Sequence, residues 1–487
     1  MIKADLSSER EKKFLRMTTE PVQKIIIKLA IPTIISMLIT SFYNMADTYF
    51  VGKIGSGESE VVKAALQTRA TAAVGVVFSL MAIIQAFGFF FGHGSGNFIS
   101  RALGHHDTKD AERIASCGFF YALIIGTVIM VLGQIFAGPL ATLLGATEEF
   151  KEYTIDYMRI ILLGAPIIMA AIVLNNQIRF QGNALFAMVG IASGGVLNLI
   201  LDPIFIFSFN MEVKGAAFAT VISQLVSLVL LFIGTERSDC IKIRFKNLRF
   251  DRHSIGKISK GGVPSLCRQG LGSISTACLN HSAAVYGALA VTTSVADPSA
   301  SAVAAMSVVS RIMMFASSAL IGFGQGFQPV CGYNYGAEKY ERVKKAFFFC
   351  VKFAFGFLLA IAIPVSIFAE DIVSLFRGND AFALEVGTRA LRFQCLIFPI
   401  MSWVIMSNMM LQTIGKAFKA SLLAMARNGI MFIPAVLILP KIFGLTGVEM
   451  AQAVADALSL ILAIPITVSV LKELTVAQNS KKQEQSD

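Results

Sequence analysis

The sequence predicts an all-α polytopic membrane protein, with twelve transmembrane helices in two six-helix bundles related by a pseudo-two-fold axis along the membrane normal. Three observations predict it. The 487 residues are 55% hydrophobic and 15% charged, with mean hydropathy +0.68, whereas soluble domains carry about 25% charged residues. Apolar runs of about 20 residues recur between short polar breaks, and roughly 40 residues per span and loop give about twelve spans. The second half of the chain also repeats the first. No extramembrane domain has room to fold.

The polar N-terminal tail, residues 1–21, shows no small-residue cleavage site after a short apolar core, so no removable signal peptide is expected. The first span, Ile25–Val51, carries Pro32 and one carboxylate, Asp47. An aspartate at a helix centre costs about 2.5–3.5 kcal/mol on the lowest insertion scales, so such a group faces a cavity, a partner or an ion. The alternative is that Asp47 lies at the outer end of its span and reaches the headgroups.

Lysine and arginine set the orientation. The tail (Lys3, Arg10, Lys12, Lys13, Arg16, Lys24, Lys28) and the break Thr235–Lys260 are strongly basic, as are Arg101–Arg113, Gly336–Lys345 and Gly415–Lys419. Val291–Ala300 has no positive charge and Gly138–Lys151 has one. Basic loops stay in the cytoplasm, so twelve spans leave both termini in the cytoplasm. The net charge of +11 needs no nucleic acid, because the excess faces an anionic leaflet. Within the break, basic residues alternate with apolar ones in IKIRFKNLRF, which predicts a mobile cytoplasmic linker on the membrane surface.

The seven cysteines are scattered, mostly in apolar context, and the five histidines are dispersed apart from His105–His106. Neither set has metal-ligand spacing, and no cofactor is expected.

Self-comparison organises the chain. Pro32 matches Pro264, Gly55 matches Gly287, Phe91-Gly92-His93-Gly94 matches Phe323-Gly324-Gln325-Gly326 and Gly104 matches Gly336, all 232 apart. Pro166 with Pro399, Asn175 with Asn408 and Gly182 with Gly415 are 233 apart, and Gly215 with Gly447 is again 232. The copies run from about 22 to 235 and from about 255 to 472. The predicted organisation is therefore a tail (1–21), an N-terminal lobe (22–234), a linker (235–260), a C-terminal lobe (261–471) and a cytoplasmic tail (472–487). Six helices per copy put both copies in one orientation, the parallel-repeat plan of transporters that rock about a central cleft. Duplication also builds channels and membrane enzymes, but no repeated ring of charge, filter loop or nucleophile–base set is visible. The glycine-rich junctions Phe91–Gly96 and Phe323–Gly326 are expected to end the second span of each copy with a sharp exit. No Gly-Lys-Ser/Thr follows them, which argues against a phosphate loop.

The first copy holds a second acid in NLILDPIFIF. Asn198 and Asp202, four apart, share a helix face, and Pro203 cannot donate to the carbonyl of Leu199. Oxygen groups beside broken helix backbone suit a small hard cation or a proton. Asp47 is nineteen residues past Lys28, Asp202 nineteen past Asn183, and Thr220 six past Lys214, which places all three in the outer half. Asp47 and Asp202 can then share one proton or be bridged by one sodium ion with Asn198. In the second copy the matching positions fall on Leu279 and about Phe432 or Ile433, so the coupling site belongs to the first copy alone. Gln269, Asn280 and Arg311, with Arg268, Asn428 and Asp456, are its polar cavity candidates.

With Pro32 and MADTYFVG (Met45–Gly52), the FGxG junctions, NLILDP, GAAFAT (Gly215–Thr220) and GFGQGFQPVCGYNYGA (Gly322–Ala337), nearly the whole chain resembles the multidrug and toxic compound extrusion family. The resemblance implies twelve helices in two lobes and export of cationic, often aromatic drugs in exchange for sodium ions or protons. It also implies that Asp47, Asn198, Asp202 and Thr220 bind the coupling cation and that Pro32 bends the first helix. The first span of the second copy has no acid, which places the chain nearer the DNA-damage-inducible branch. Twenty methionines and thirty-nine phenylalanines suit a pliable cavity, and two buried carboxylates favour cationic substrates. The expected protein is a monomeric secondary exporter in a bacterial plasma membrane, in contact with membrane lipid, with Pro32 and Pro203 as hinges, and not an enzyme. The alternative is a related flippase for lipid-linked or polysaccharide precursors, which needs a larger basic cavity.

Overall fold

A computed structural model describes residues 2–51, 53–54, 60–237, 241–290, 297–377 and 380–484, and all regular structure among them is helical. The first half contains α1 (Ile2–Thr19), α2 (Val22–Val51), α3 (Glu60–Gly104), α4 (Thr108–Ile135), α5 (Ala137–Leu143), α6 (Lys151–Phe180), α7 (Ala184–Pro203) and α8 (Glu212–Arg237). The second contains α9 (Arg252–Ala290), α10 (Pro298–Gly336), α11 (Tyr340–Ile367), α12 (Ala369–Arg377), α13 (Ala381–Ile397), α14 (Met401–Thr413), α15 (Ala417–Met425), α16 (Phe432–Phe443) and α17 (Leu445–Glu484). Hydrocarbon offers the backbone no hydrogen-bond partner, so apolar runs of this length must pair their amides internally, and helices do so.

Among the described residues, eleven spans are long and apolar enough to cross a membrane. The twelfth crossing is α9, 39 residues long, whose Lys257, Lys260, Arg268, Gln269, Asn280 and His281 dilute its apolar content. Twelve crossings agree with the sequence.

The repeat extends to individual hydrogen bonds. Asn175 donates to the carbonyl of Ala187 at 2.8 Å, and Asn408 donates to that of Ala420 at 2.7 Å. Gly182 and Gly415 both turn the chain with positive φ, +86° and +84°, a conformation in which a side chain is strained. His106 and Glu338, 232 apart, also share positive φ. Gly55 lies outside the described residues.

The chain forms two compact units. One comprises Met1–Glu20 and Ile31–Leu266, the other Pro21–Ala30 and Cys267–Asp487. The chain changes unit at Ile31, one residue before Pro32, and at Cys267, three after Pro264. The first unit runs past residue 234 because the segment 241–260 packs within it, while Pro21–Ala30 falls in the second unit.

That packing corrects the picture of a mobile linker. Ile241 and Ile243 are buried. The amide of Ile241 donates to Gln181 Oε1 at 2.6 Å and that of Arg244 to Ser116 Oγ at 3.1 Å. Tyr121 donates to the carbonyl of Arg249, and Arg113 pairs with Asp251. The apolar residues of the alternating stretch thus divide between the protein, which takes the isoleucines, and the surface, where Phe245 and Phe250 stay exposed. Residues 238–240 lie outside the description.

The glycine-rich junctions Phe91–Gly96 and Phe323–Gly326 also differ from expectation. They do not end their helices, since α3 continues to Gly104 and α10 to Gly336. The glycines serve packing instead: a Cβ on Gly92 would stand 2.9 Å from Asn176 Nδ2, and one on Gly326 would meet the backbone of Ala30. Close approach offsets the entropic cost of glycine inside a helix.

Candidate functional site

The site is built within the first unit from α2, α6, α7 and α8. Helix α2 is continuous through Pro32, whose carbonyl accepts from Ser36 Oγ at 3.0 Å. It approaches α7 at Gly195, where a Cβ would lie 2.9 Å from Ile39 Cγ2 and 3.2 Å from Tyr43 Cδ1. Glycine at that position lets α2 bring Asp47, one turn beyond Tyr43, towards Asp202.

On α7, the side-chain amide of Asn198 donates to Asp202 Oδ1 at 3.1 Å. Asp202 is fully buried and Asn198 nearly so. Immediately after Pro203 the chain widens into a π-helical turn, Ile204–Ser208. Proline supplies no amide hydrogen, and the wider turn reorganises the hydrogen bonding around it. Gly215 of α8 presses against this turn, where a Cβ would sit 2.7 Å from the carbonyl carbon of Phe205.

Asp47 and Asp202 interact electrostatically, and both act on the hydroxyl of Tyr157 on α6. Asp47 also acts on Tyr43. Asp47 Oδ1, Asp202 Oδ2 and the Tyr157 hydroxyl are all buried without a hydrogen-bond partner. A buried polar group without a partner costs about 1–3 kcal/mol, and more when charged. Three in one cluster make an oxygen-rich site suited to a proton or a hard cation. Among the described residues, no group of three or more His, Cys, Asp or Glu has the arrangement of a metal site.

The structure therefore brings together Asp47, Asn198 and Asp202. Thr220 is buried on α8, and no hydrogen bond joins its hydroxyl to either carboxylate. Tyr157 and Tyr43 join this group in the folded protein. Tyr43 precedes Asp47 by four residues and shares its helix face, a signal present in the sequence. Tyr157 sits among charged residues in KEYTIDYMR and reads there as an interfacial aromatic; only folding brings it to the acids.

A MatE family model matches residues 32–204 and 278–437, more than half of the sequence. The chain belongs to the MatE family. It is 26% identical to the multidrug export protein MepA of Staphylococcus haemolyticus (strain JCSC1435) over 458 residues, 94% of this chain and 96% of that protein. Its fold is similar to a crystal structure of a MATE protein in complex with MaL6, with TM-score 0.85 and 26% identity over 95% of this chain and 99% of that one. An outward-facing multidrug resistance MATE transporter of the MOP superfamily is similar at TM-score 0.84 and 27% identity, over 94% and 99% of the two chains.

The second unit of this MatE chain is built differently. Gln269 and Asn280 are half-buried on α9 and Arg311 is exposed on α10; no hydrogen bond or ion pair joins the three. The pairing that forms is between Arg427 and Asp456, at 3.1 Å, with Gln452 donating to the same carboxylate oxygen at 2.9 Å. Arg427 lies in a π-helical turn, Ala426–Ile430, beside Asn428, whose carbonyl accepts from Ser275. Arg268 feels the charge of Arg427.

Proposed function

We propose that this protein is a secondary active multidrug exporter, which expels cationic and aromatic compounds in exchange for protons or sodium ions. The observation that carries the proposal is the cluster of unpartnered buried oxygens, Asp47 Oδ1, Asp202 Oδ2 and the Tyr157 hydroxyl, beside the Asn198 amide. Similarity to multidrug export proteins over nearly the whole chain supports the substrate class.

Binding a proton or one sodium ion between Asp47 and Asp202 neutralises part of the charge and gives the orphaned oxygens a partner. The change biases the packing of α2 against α7 at Gly195, with Pro32 and Pro203 as the places where the helices yield. Drug binding favours the state with the acids free, and cation binding favours the other. Linkage then requires each to weaken the other equally. Rocking of the two six-helix halves, with both termini in the cytoplasm of a bacterium and the chain acting as a monomer, completes the proposal.

The test is ethidium efflux from proteoliposomes driven separately by a sodium gradient and a pH gradient. Efflux that follows one gradient and stops when it is dissipated is the expected result. No acceleration under either gradient rejects ion-coupled export.

A further inference from the structure

A cavity of about 460 Å³ opens on the second unit between α11 and α13, far along the chain from the acidic cluster. Its volume lies in the range of small-molecule sites. The lower walls are apolar, formed among others by Leu359, Ile363, Leu396 and Pro399. Leu396 is 76% and Ile363 52% exposed, so the groove opens sideways towards lipid rather than into the protein.

Two arginines, Arg389 and Arg392, also line it, and lie nearest the end of α11. Arg389 is engaged: it forms a two-pronged pair with Glu449, at 3.1 and 2.9 Å, and also reaches Glu385 at 2.8 Å. Arg392 is exposed and meets no carboxylate among the described residues; its Nε donates to the carbonyl of Ser366 at 3.4 Å. Ser366 lies in the last turn of α11, which ends at Ile367. That bond sets the guanidinium, with its two terminal nitrogens outside the bond, level with the end of a membrane-crossing helix, where headgroups lie, and the apolar walls descend from it for one to two turns.

A guanidinium fork above a lipid-facing apolar groove matches one ligand chemistry, a phosphate joined to a hydrocarbon chain. We propose that this groove binds a phospholipid of net negative charge from the surrounding bilayer, with the phosphate on Arg392 and one acyl chain along Leu359, Ile363 and Leu396. A zwitterionic headgroup brings its own cation and competes for the same phosphate, so the site discriminates by net charge.

The chain contains one tryptophan, Trp403, four residues beyond Pro399 and eleven beyond Arg392. At 1.5 Å per residue it lies roughly 16 Å along the helices from the rim, where an acyl chain in the groove would reach it. Its indole packs against Phe347 at 5.5 Å, which holds it in place. The full chain is reconstituted in phosphatidylcholine containing a small fraction of phosphatidylglycerol, with one lipid or the other brominated along its acyl chains. Quenching of Trp403 by brominated phosphatidylglycerol is expected to correspond to an enrichment of about fivefold over its bulk fraction, the effect of one arginine near an anionic surface. In Arg392→Gln it should fall to the bulk value, and in Arg392→Lys an intermediate value should remain. Quenching by each lipid in proportion to its bulk fraction in the parent protein, or an unchanged preference in Arg392→Gln, overturns the proposal. Failure of ethidium efflux would leave this result unaffected, because the fluorescence measurement requires no transport.

Discussion

Asn198 holds Asp202 by one oxygen only: its amide donates to Oδ1 at 3.1 Å, one helical turn away, and Oδ2 is left buried without a partner. The bond fixes the carboxylate's orientation and keeps the second oxygen available to a ligand. A carboxylate whose two oxygens were both satisfied by protein would have less to offer a cation.

Asp47→Asn and Asp202→Asn are each expected to abolish gradient-driven efflux while the protein still inserts and folds. An asparagine is nearly isosteric but carries no charge to be neutralised by a proton or sodium ion. The check is ethidium efflux normalised to the amount of protein in the membrane, with size-exclusion profiles as the folding control. If both variants, properly expressed, pump at the parent rate under either gradient, the site in the first unit is wrong.

Tyr157→Phe separates function from stability. Its hydroxyl is buried without a partner, so removing it should leave thermal stability unchanged or raised by about 1 kcal/mol. If the hydroxyl contributes to the cation site, the ion concentration for half-maximal efflux should rise about tenfold, the equivalent of one lost hydrogen bond to a charged group. Stability comes from a melting curve in detergent and ion dependence from transport; an unchanged ion dependence removes Tyr157 from the site.

Gly215→Ala should impair the protein through packing alone. The new Cβ would lie 2.7 Å from the carbonyl carbon of Phe205 and 2.8 Å from its oxygen. Backbone cannot rotate away as a side chain can, so a destabilisation of about 1–3 kcal/mol is expected. The measurement is a lowered melting temperature, with efflux reduced in proportion to the folded fraction.

Asn247→Cys tests the orientation. If the segment 241–260 is cytoplasmic, a membrane-impermeant thiol reagent added to intact cells should not label it, whereas opened cells should. The native cysteines are replaced first, because Cys117 lies against the same segment. Strong labelling from outside would reverse the topology.

The membrane class, the twelve crossings and the two copies were legible in composition and spacing, because a bilayer imposes length and apolarity on every span regardless of its neighbours. The likeness of the copies was equally local: Asn175 and Asn408 bond across twelve residues, and Gly182 and Gly415 turn within four. Asp47, Asn198 and Asp202 could be singled out because a polar group in an apolar run stands out wherever it points. Tertiary structure alone decided what lay between them. Tyr157 joined the acids because α6 packs there, and a tyrosine near a helix end carries no mark of that in sequence. The segment 241–260 looks like a surface-lying stretch in sequence because its alternation does not say whether lipid or protein takes the isoleucines; Gln181 and Ser116, 60 and 128 residues from the amides that donate to them, decided it. The glycine-rich junctions remained helical because Asn176 and Ala30 lie against them, and the cost of a glycine in a helix depends on what packs on the surface that it leaves bare.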